Sequence, residues 1–252
     1  MKETEQLAQL IIQSNKIVVF TGAGISTESG IPDFRSPGGI WSRYDPEDFT
    51  IQKFLSGPAA RKTIWKMSVE GGLLADAEPN LAHHAIAELH RLGKLDCVIT
   101  QNIDGLHQKA GVPEDRVFEL HGNMQWVVCL SCGRRFPMSE VLRRIRHGAE
   151  VPDCPDCQGI LKPDAVFFGE ALPQETLREA IRRAQNCDFL AVIGSTLLVY
   201  PAAYIPTYAR DAGAKLAIVN LTPTPFDHYA EVVARGKAGE IMSEVMERVR
   251  RS

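Results

Sequence analysis

Cysteine is scarce in this chain. Six in 252 residues cannot form a disulfide scaffold, and the two close pairs among them point to a metal instead. Long apolar runs are missing as well. None approaches the roughly 18–20 residues of a membrane span, and the opening MKETEQLAQLIIQSNK is too charged for a secretory signal. Positive charge is not in excess: 28 Lys and Arg face 31 Asp and Glu, a net −3 with a pI near 6.2. That balance argues against a dedicated nucleic-acid binder. There is no internal repeat, no low-complexity tract, and no G-x-S-x-G elbow of the kind that carries a nucleophilic serine. What remains is an ordinary globular composition, 44% hydrophobic and 23% charged, on a chain long enough to bury a sizeable core. One large domain, or one carrying a smaller insert, is expected, in a reducing, cytoplasmic setting.

Five short and nearly continuous apolar runs predict buried strands: Lys16–Phe20, Asp96–Thr100, Arg116–Leu120, Phe189–Ile193 and Lys215–Val219. Helical patterns lie between them. Leu81, Ala82, Ala85, Ile86, Leu89 and Leu92 recur at helical spacing up to Gly93, and Leu177, Ala180, Ile181 and Ala184 do so after Pro173. This alternation predicts a doubly wound α/β fold, a parallel sheet covered on both faces. Two stretches break the rhythm. Residues 35–79, rich in Gly, Pro and aromatics before a helical pattern, read as a loop and helical insert, and residues 123–162 hold four clustered cysteines. The sheet domain would then comprise 1–34, 80–122 and 163–252, with the two excursions forming a smaller lobe.

Each predicted strand runs into small or polar residues: TGAG, QNID, HGN, Gly194-Ser195-Thr196, and Asn220-Leu221-Thr222. Ligands of open parallel sheets bind outside the carboxyl ends of the strands, so five polar ends on one edge mark a crevice. Gly22-Ala23-Gly24 follows the first strand, where glycine lets the backbone approach a phosphate; the plain alternative is a tight turn without ligand. The dinucleotide fingerprint G-x-G-x-x-G is incomplete, because position 27 is Thr27. Asp45 and Asp48, near the distance of a ribose-binding acid, lie in a Pro-containing loop. A standard dehydrogenase is disfavoured.

Cys129-x-x-Cys132 and Cys154-x-x-Cys157 are separated by 21 residues, slightly beyond the usual ~15–20 of paired zinc knuckles. Two thiolates on each turn complete a tetrahedral shell, whereas a thioredoxin-like redox pair needs only one CxxC. Four protein ligands leave no open position for water, so one structural Zn²⁺ is expected. Cys97 and Cys187 read as small buried hydrophobes. Among the histidines, His83, His84 and His90 ride a helix as surface or packing residues, His107 has a structural or supporting place, and His147 and His228 have no evident partner. His121 differs, at a strand's carboxyl end and before Gly122; imidazole suits proton transfer near neutral pH. Asn102 and Asp104 form an N-x-D turn that serves either as a helix cap or as a carboxamide and ribose contact.

The full string GAGISTESGIPDFRS (Gly22–Ser36), with TQNIDGLH, His121-Gly122, the two CxxC pairs, Phe168-Gly169-Glu170 and GSTLLVYPAA (Gly194–Ala203), resembles the sirtuins of bacterial and archaeal type, NAD-dependent protein deacylases. The resemblance spans roughly residues 4–248, with the motifs in the family's order. It implies a Rossmann-like NAD-binding domain with a zinc-binding and helical lobe, NAD consumed as co-substrate, and one structural zinc. It makes His121 the general base and places Gln101, Asn102, Ile103 and Asp104 at the nicotinamide and its ribose, with Asn102 and Asp104 counted as catalytic. Gly22, Ala23, Gly24, Thr27, Gly194, Ser195, Thr196, Asn220, Leu221 and Ala238 would contact the dinucleotide. Asp33, Phe34 and Arg35 would sit on a loop over it, Phe34 shielding the reacting sugar carbon and Arg35 meeting phosphate or ribose oxygens.

The implied reaction is attack of the acyl-lysine oxygen on C1′ of the nicotinamide ribose, loss of nicotinamide, deprotonation of a ribose hydroxyl by His121, and release of lysine and O-acyl-ADP-ribose. The substrate protein, an acetyl-lysine protein or peptide, would lie as an extended strand between Phe168–Leu172 and Leu198–Tyr200, touching Gly169, Glu170 and Tyr200. Val166, Phe168 and Val199 would line an apolar tunnel that admits a neutral amide and rejects an ammonium. Sirtuins that prefer succinyl or malonyl carry a Tyr and an Arg three residues apart in the helical insert. Trp65 and Ser68 align with them here, so acetyl and other uncharged acyls are expected, unless Lys62 or Lys66 substitutes. ADP-ribosyl transfer is a rival enzymatic reading. A nucleic-acid contact through Arg134-Arg135 and Arg143-Arg144-Ile145-Arg146 is a weaker one against the net charge. A monomer without membrane contact is expected, and the compact ends, with no room for a long transit peptide, point to a bacterial protein.

Overall fold

Strands buried on both faces must place alternate side chains on opposite sides of a sheet, and all five predicted runs do so. The computed structural model describes residues 2–70 and 77–251, apart from the side chain of Glu70; positions 71–76 of the expected insert lie outside the described residues. The first elements are α1 (Glu3–Gln13), β1 (Ile17–Thr21), α2 (Ile51–Leu55), α3 (Pro58–Glu70), α4 (Leu81–Arg91), β2 (Leu95–Thr100), α5 (Leu106–Lys109) and β3 (Val117–Glu119). Next come β4 (Gly122–Cys129), β5 (Arg135–Pro137), α6 (Met138–Arg146), β6 (Leu161–Ala165) and α7 (Gln174–Gln185). The chain closes with β7 (Phe189–Ile193), α8 (Ile205–Asp211), β8 (Lys215–Asn220), β9 (Val232–Arg235) and α9 (Ala238–Val249).

Six strands form a parallel sheet in the order β3-β2-β1-β7-β8-β9. The chain starts at β1, steps outward to β2 and β3, and returns to lay β7 on the other side of β1. A topological switch point therefore lies between β1 and β7, where α/β sheets of this order take their ligands. Ile17, Val19, Ile193 and Val219 pack with Leu7, Ile11, Ile86 and Val245 of α1, α4 and α9. Val18, Phe20, Leu190 and Val192 pack with Ala180, Ala184, Ile205 and Ala209 of α7 and α8. At roughly 1.5–3 kcal/mol for each fully buried large aliphatic or aromatic side chain, these two layers dominate the stability.

The sequence did not announce every element. The edge strand β9 has four residues, of which only Val232 and Ala234 are buried, too few for a periodic signal. A second, antiparallel sheet, β5-β4-β6, carries the cysteine region, and its β6 reads Leu-Lys-Pro-Asp-Ala, with a charge and a strand breaker inside it. The opening segment forms α1 with Leu7, Ala8, Leu10 and Ile11 buried. Trp65 of α3, aligned above with an acyl-contacting position, is instead fully buried with Val127, Phe136, Val141 and Leu161 of the cysteine region. The helical insert and the cysteine lobe thus share one core. No helix among the described residues is long and apolar enough to cross a membrane.

Candidate functional site

At the switch point two loops interlock. Gly22 N donates to Ile193 O (3.3 Å) and Gly24 N to Gly194 O (2.8 Å). A Cβ at Gly22 would stand 2.9 Å from Ser195 Cβ, one at Gly24 would stand 2.8 Å from Gly194 O, and one at Gly194 would stand 2.1 Å from Ile25 N. Gly194 also has a φ of +66°, a conformation that disfavours any Cβ. The glycines are therefore required by each other through close packing of β1's loop on β7's, and Gly22, Gly24 and Gly194 also line the crevice above them. The helical turn Ala23–Ser29 then starts at the crevice.

A cavity of about 1010 Å³ opens over these loops; the residues nominated for the dinucleotide and for catalysis all line it, whereas Leu198 of the expected substrate strand and Trp65 do not. The five strand ends converge because the parallel order puts all carboxyl ends on one edge. Asn102 is buried, its Nδ2 donating to Gly22 O (3.2 Å) and Ser26 Oγ (3.1 Å). Asp104 accepts from Ser26 Oγ (2.7 Å) and from Leu106 N (3.0 Å), the first residue of α5, whose N-cap position is Gly105, and it lines the cavity. Burial pushes its carboxyl pKa up, and those hydrogen bonds oppose the shift. Ser26, which joins both side chains, was missed by sequence reasoning, although it lies inside the glycine string.

His121 sits between the two sheets. Its Nδ1 lies 2.9 Å from Gln101 O; a carbonyl only accepts, so Nδ1 carries the proton and Nε2 keeps its lone pair. Burial pulls the pKa of His121 below its ordinary 6.5, against the upward pull of the Gln101 bond, so the ring is neutral at physiological pH. Its backbone O accepts from Val166 N (2.8 Å), and Gly122 pairs with Ala165. His107 is fully enclosed: Nε2 meets Thr21 Oγ1 at 2.9 Å, and its ring stacks 5.1 Å from that of His83. Burial drives its pKa well below 6.5. It packs beneath the site, as a structural residue should.

The substrate arm after β6 differs in detail from expectation. Phe168 N and O are already bonded to Phe49 O (2.9 Å) and Ile51 N (3.0 Å), so its backbone is not free to pair with a peptide. Glu170 lines the cavity, yet its carboxylate turns to Lys162 Nζ (3.0 Å) and Phe167 N (2.6 Å). Lys162 is buried, also donates to Ala165 O (2.5 Å) and Pro163 O (3.1 Å), and lies over the Phe167 ring. This buried ammonium knots the arm together. Val166, Gly169, Val199 and Tyr200 reach the cavity as expected, although Val199 O accepts from Ala203 N (2.9 Å).

The Sγ atoms of Cys129, Cys132, Cys154 and Cys157 all lie within 4.8 Å of one another. Each pair sits on a matching turn. Gly133 N donates to Cys129 O (2.9 Å) and Gln158 N to Cys154 O (3.0 Å), with both Gly133 (φ +72°) and Gln158 (φ +59°) left-handed. Four soft thiolates this close fit the four-coordinate shell of one structural zinc ion, which leaves no position for water. Arg134 and Arg135 pair with Asp156 (2.8 Å) and Asp164 (2.7 Å).

Fold and site together define a dinucleotide-type crevice with an embedded neutral histidine and a remote thiolate metal centre. The comparisons agree. Residues 22–201 match the Sir2 family. The NAD-dependent protein deacetylase 1 of Pyrobaculum aerophilum is 46% identical, with 98% of this chain and 95% of that protein covered. The NAD-dependent protein deacylase 2 of Archaeoglobus fulgidus is 48% identical over 99% and 97%. A Sir2 structure with a p53 peptide and NAD+ superposes with a TM-score of 0.90 at 42% identity, each chain covered completely at 100%. This chain belongs to the Sir2 family.

Proposed function

We propose that the chain is an NAD-dependent protein-lysine deacylase that moves the acyl group to ADP-ribose, releasing nicotinamide and, from acetyl-lysine, O-acetyl-ADP-ribose. Family membership and the two archaeal relatives support the NAD-dependent activity. One observation carries the residue assignment: a neutral imidazole, His121, on the wall of the same cavity as the interlocked glycine loops.

The loops at Gly22–Thr27, Gly194–Thr196 and Asn220–Leu221, with Ala238, hold the dinucleotide across the switch point. Bound NAD supplies an electrophilic ribose carbon from which nicotinamide departs. Asn102 and Asp104, with Gln101 and Ile103, orient the carboxamide and ribose. Phe34 covers the sugar against water, Asp33 holds that loop, and Arg35 meets phosphate or ribose oxygens. His121 takes a ribose hydroxyl proton on Nε2. Val166, Phe168 and Val199 bury the lysine stem only as a neutral amide, since an unpaired ammonium there is costly.

Uncharged acyl groups are the substrates. The cavity face of α3 offers Ile64, Met67, Ser68 and Val69, with no cation, and Lys62 is paired outward with Glu150 (2.5 Å). The cations that do line the cavity, Arg35, Lys109, Arg146 and Lys237, come from other elements. The test is nicotinamide release from NAD with acetyl- and succinyl-lysine peptides. Release is expected with the acetyl peptide at a much higher kcat/KM. Comparable turnover of both would defeat the acyl preference, and no release with any acyl-lysine peptide would defeat the activity.

A further inference from the structure

Four aromatic rings from three segments meet along one wall of the cavity. The Trp41 centroid lies 5.2 Å from Phe34, 5.2 Å from Phe49 and 6.0 Å from Phe168, separations at which tilted and edge-on rings attract. Phe34 and Trp41 belong to a loop closed on itself. Ile40 N donates to Asp33 O (2.8 Å), Trp41 N to Phe34 O (3.1 Å), and the Asp33 carboxylate accepts from Arg35 N (3.0 Å) and Ser36 N (2.7 Å). Residues 34–38 are exposed, so Trp41 is the aromatic neighbour of Phe34 among the described residues. Phe168 comes from the arm latched to Phe49 and Ile51. All four rings face the cavity.

In the proposed function Phe34 covers the dinucleotide and Phe168 flanks the acyl-lysine. We infer that Trp41 is a positioning residue that couples these two subsites, so that filling either one tightens the other. A ligand that presses Phe34 or Phe168 onto Trp41 restricts the segment the second ligand must order, and the second then binds at lower entropic cost. Linkage makes the effect reciprocal: the factor gained by the peptide equals the factor gained by the dinucleotide. The inference rests on the NAD-dependent reading but makes a separate demand, a ratio of affinities.

The experiment is calorimetric titration of an acetyl-lysine peptide with and without saturating ADP-ribose, for the full chain, Trp41→Phe and Trp41→Leu. The wild-type peptide Kd is expected to tighten about five- to tenfold with ADP-ribose, the lower end of known couplings. Trp41→Phe should keep part of that ratio and Trp41→Leu should bring it near one. The ratio is the readout because a ring that merely fills space would weaken both measurements together. An undiminished ratio in Trp41→Leu, or a wild-type ratio of one with both ligands bound, overturns the coupling. Should Trp41→Leu not fold, Phe34→Leu, at the exposed end of the ring series, must collapse the ratio, and persistence there overturns the coupling equally. A wild-type protein that binds neither ligand sinks the functional reading and the coupling with it.

Discussion

A histidine enclosed by backbone and apolar groups protonates reluctantly, and His121 is such a case. Its Nδ1 proton is committed to Gln101 O, so acid must act on Nε2, the nitrogen proposed above as the base. Because the pKa is lowered from 6.5 by burial, the acid limb of kcat/KM should have its midpoint below 6.5, as the proposed base becomes protonated. An acid limb with its midpoint at or above 6.5 in the pH–rate profile would assign the titration elsewhere. Gly194 makes a second demand on a single atom. A methyl at 2.1 Å from Ile25 N cannot be absorbed by rotamer change, and the left-handed φ adds its own cost. Gly194→Ala should destabilise the fold by roughly 2–4 kcal/mol, combining overpacking with backbone strain, and denaturant melts would show it as a lowered midpoint.

Helix α4 shows how an element can conceal a titration. Asn80 Oδ1 accepts from Ala82 N (2.9 Å), and His83 Nδ1 accepts from Asn80 N (3.3 Å), a capping box in which histidine replaces the usual Glu or Gln. Burial lowers the His83 pKa from 6.5 to about 4. Above 6.5 the ring is neutral in both the folded and unfolded chain. Between 6.5 and about 4 the unfolded chain takes up a proton that the native one refuses, so stability falls as pH falls across that window. The loss is roughly 3 kcal/mol at about 1.4 per unit, and His107 acts in the same direction. His83→Gln retains an acceptor for Asn80 N and should flatten the slope of unfolding free energy between pH 7 and 4.5; an unchanged slope would count against this account. Elements of this kind were legible in part. The α4 stripe and its Gly93 stop stood in the sequence because core packing repeats at helical spacing. The strand β6 did not, because Lys162 and Pro163 look wrong for a strand until Glu170, the carbonyls of Pro163 and Ala165 and the Phe167 ring are seen around the ammonium. The site divided likewise: strand-end residues were readable from topology, whereas Ser26 and Trp41 act through loop contacts with no period.

At the scale of the whole molecule, the two sheets meet around His121. The main sheet delivers His121 after β3, and the next residue begins β4 of the cysteine lobe, which returns at Val166 to bond His121 O (2.8 Å). Stripping the metal with a chelator should therefore loosen β4, β5 and β6, expose Trp65, now fully buried, and abolish turnover while most of the parallel sheet persists. Tryptophan fluorescence and circular dichroism followed together would record the first change without wholesale loss of the second; unaltered fluorescence and full activity after metal removal would contradict it. The same junction makes a cassette of the lobe together with α3, whose Trp65 shares its core. Two of its cut points, before Gly122 and at Val166, straddle a single amide–carbonyl link, so a chimera spliced there would leave His121 with its host sheet. Such a graft would exchange the thiolate centre and the core around it, while the strand-end loops of the cavity stayed with the host.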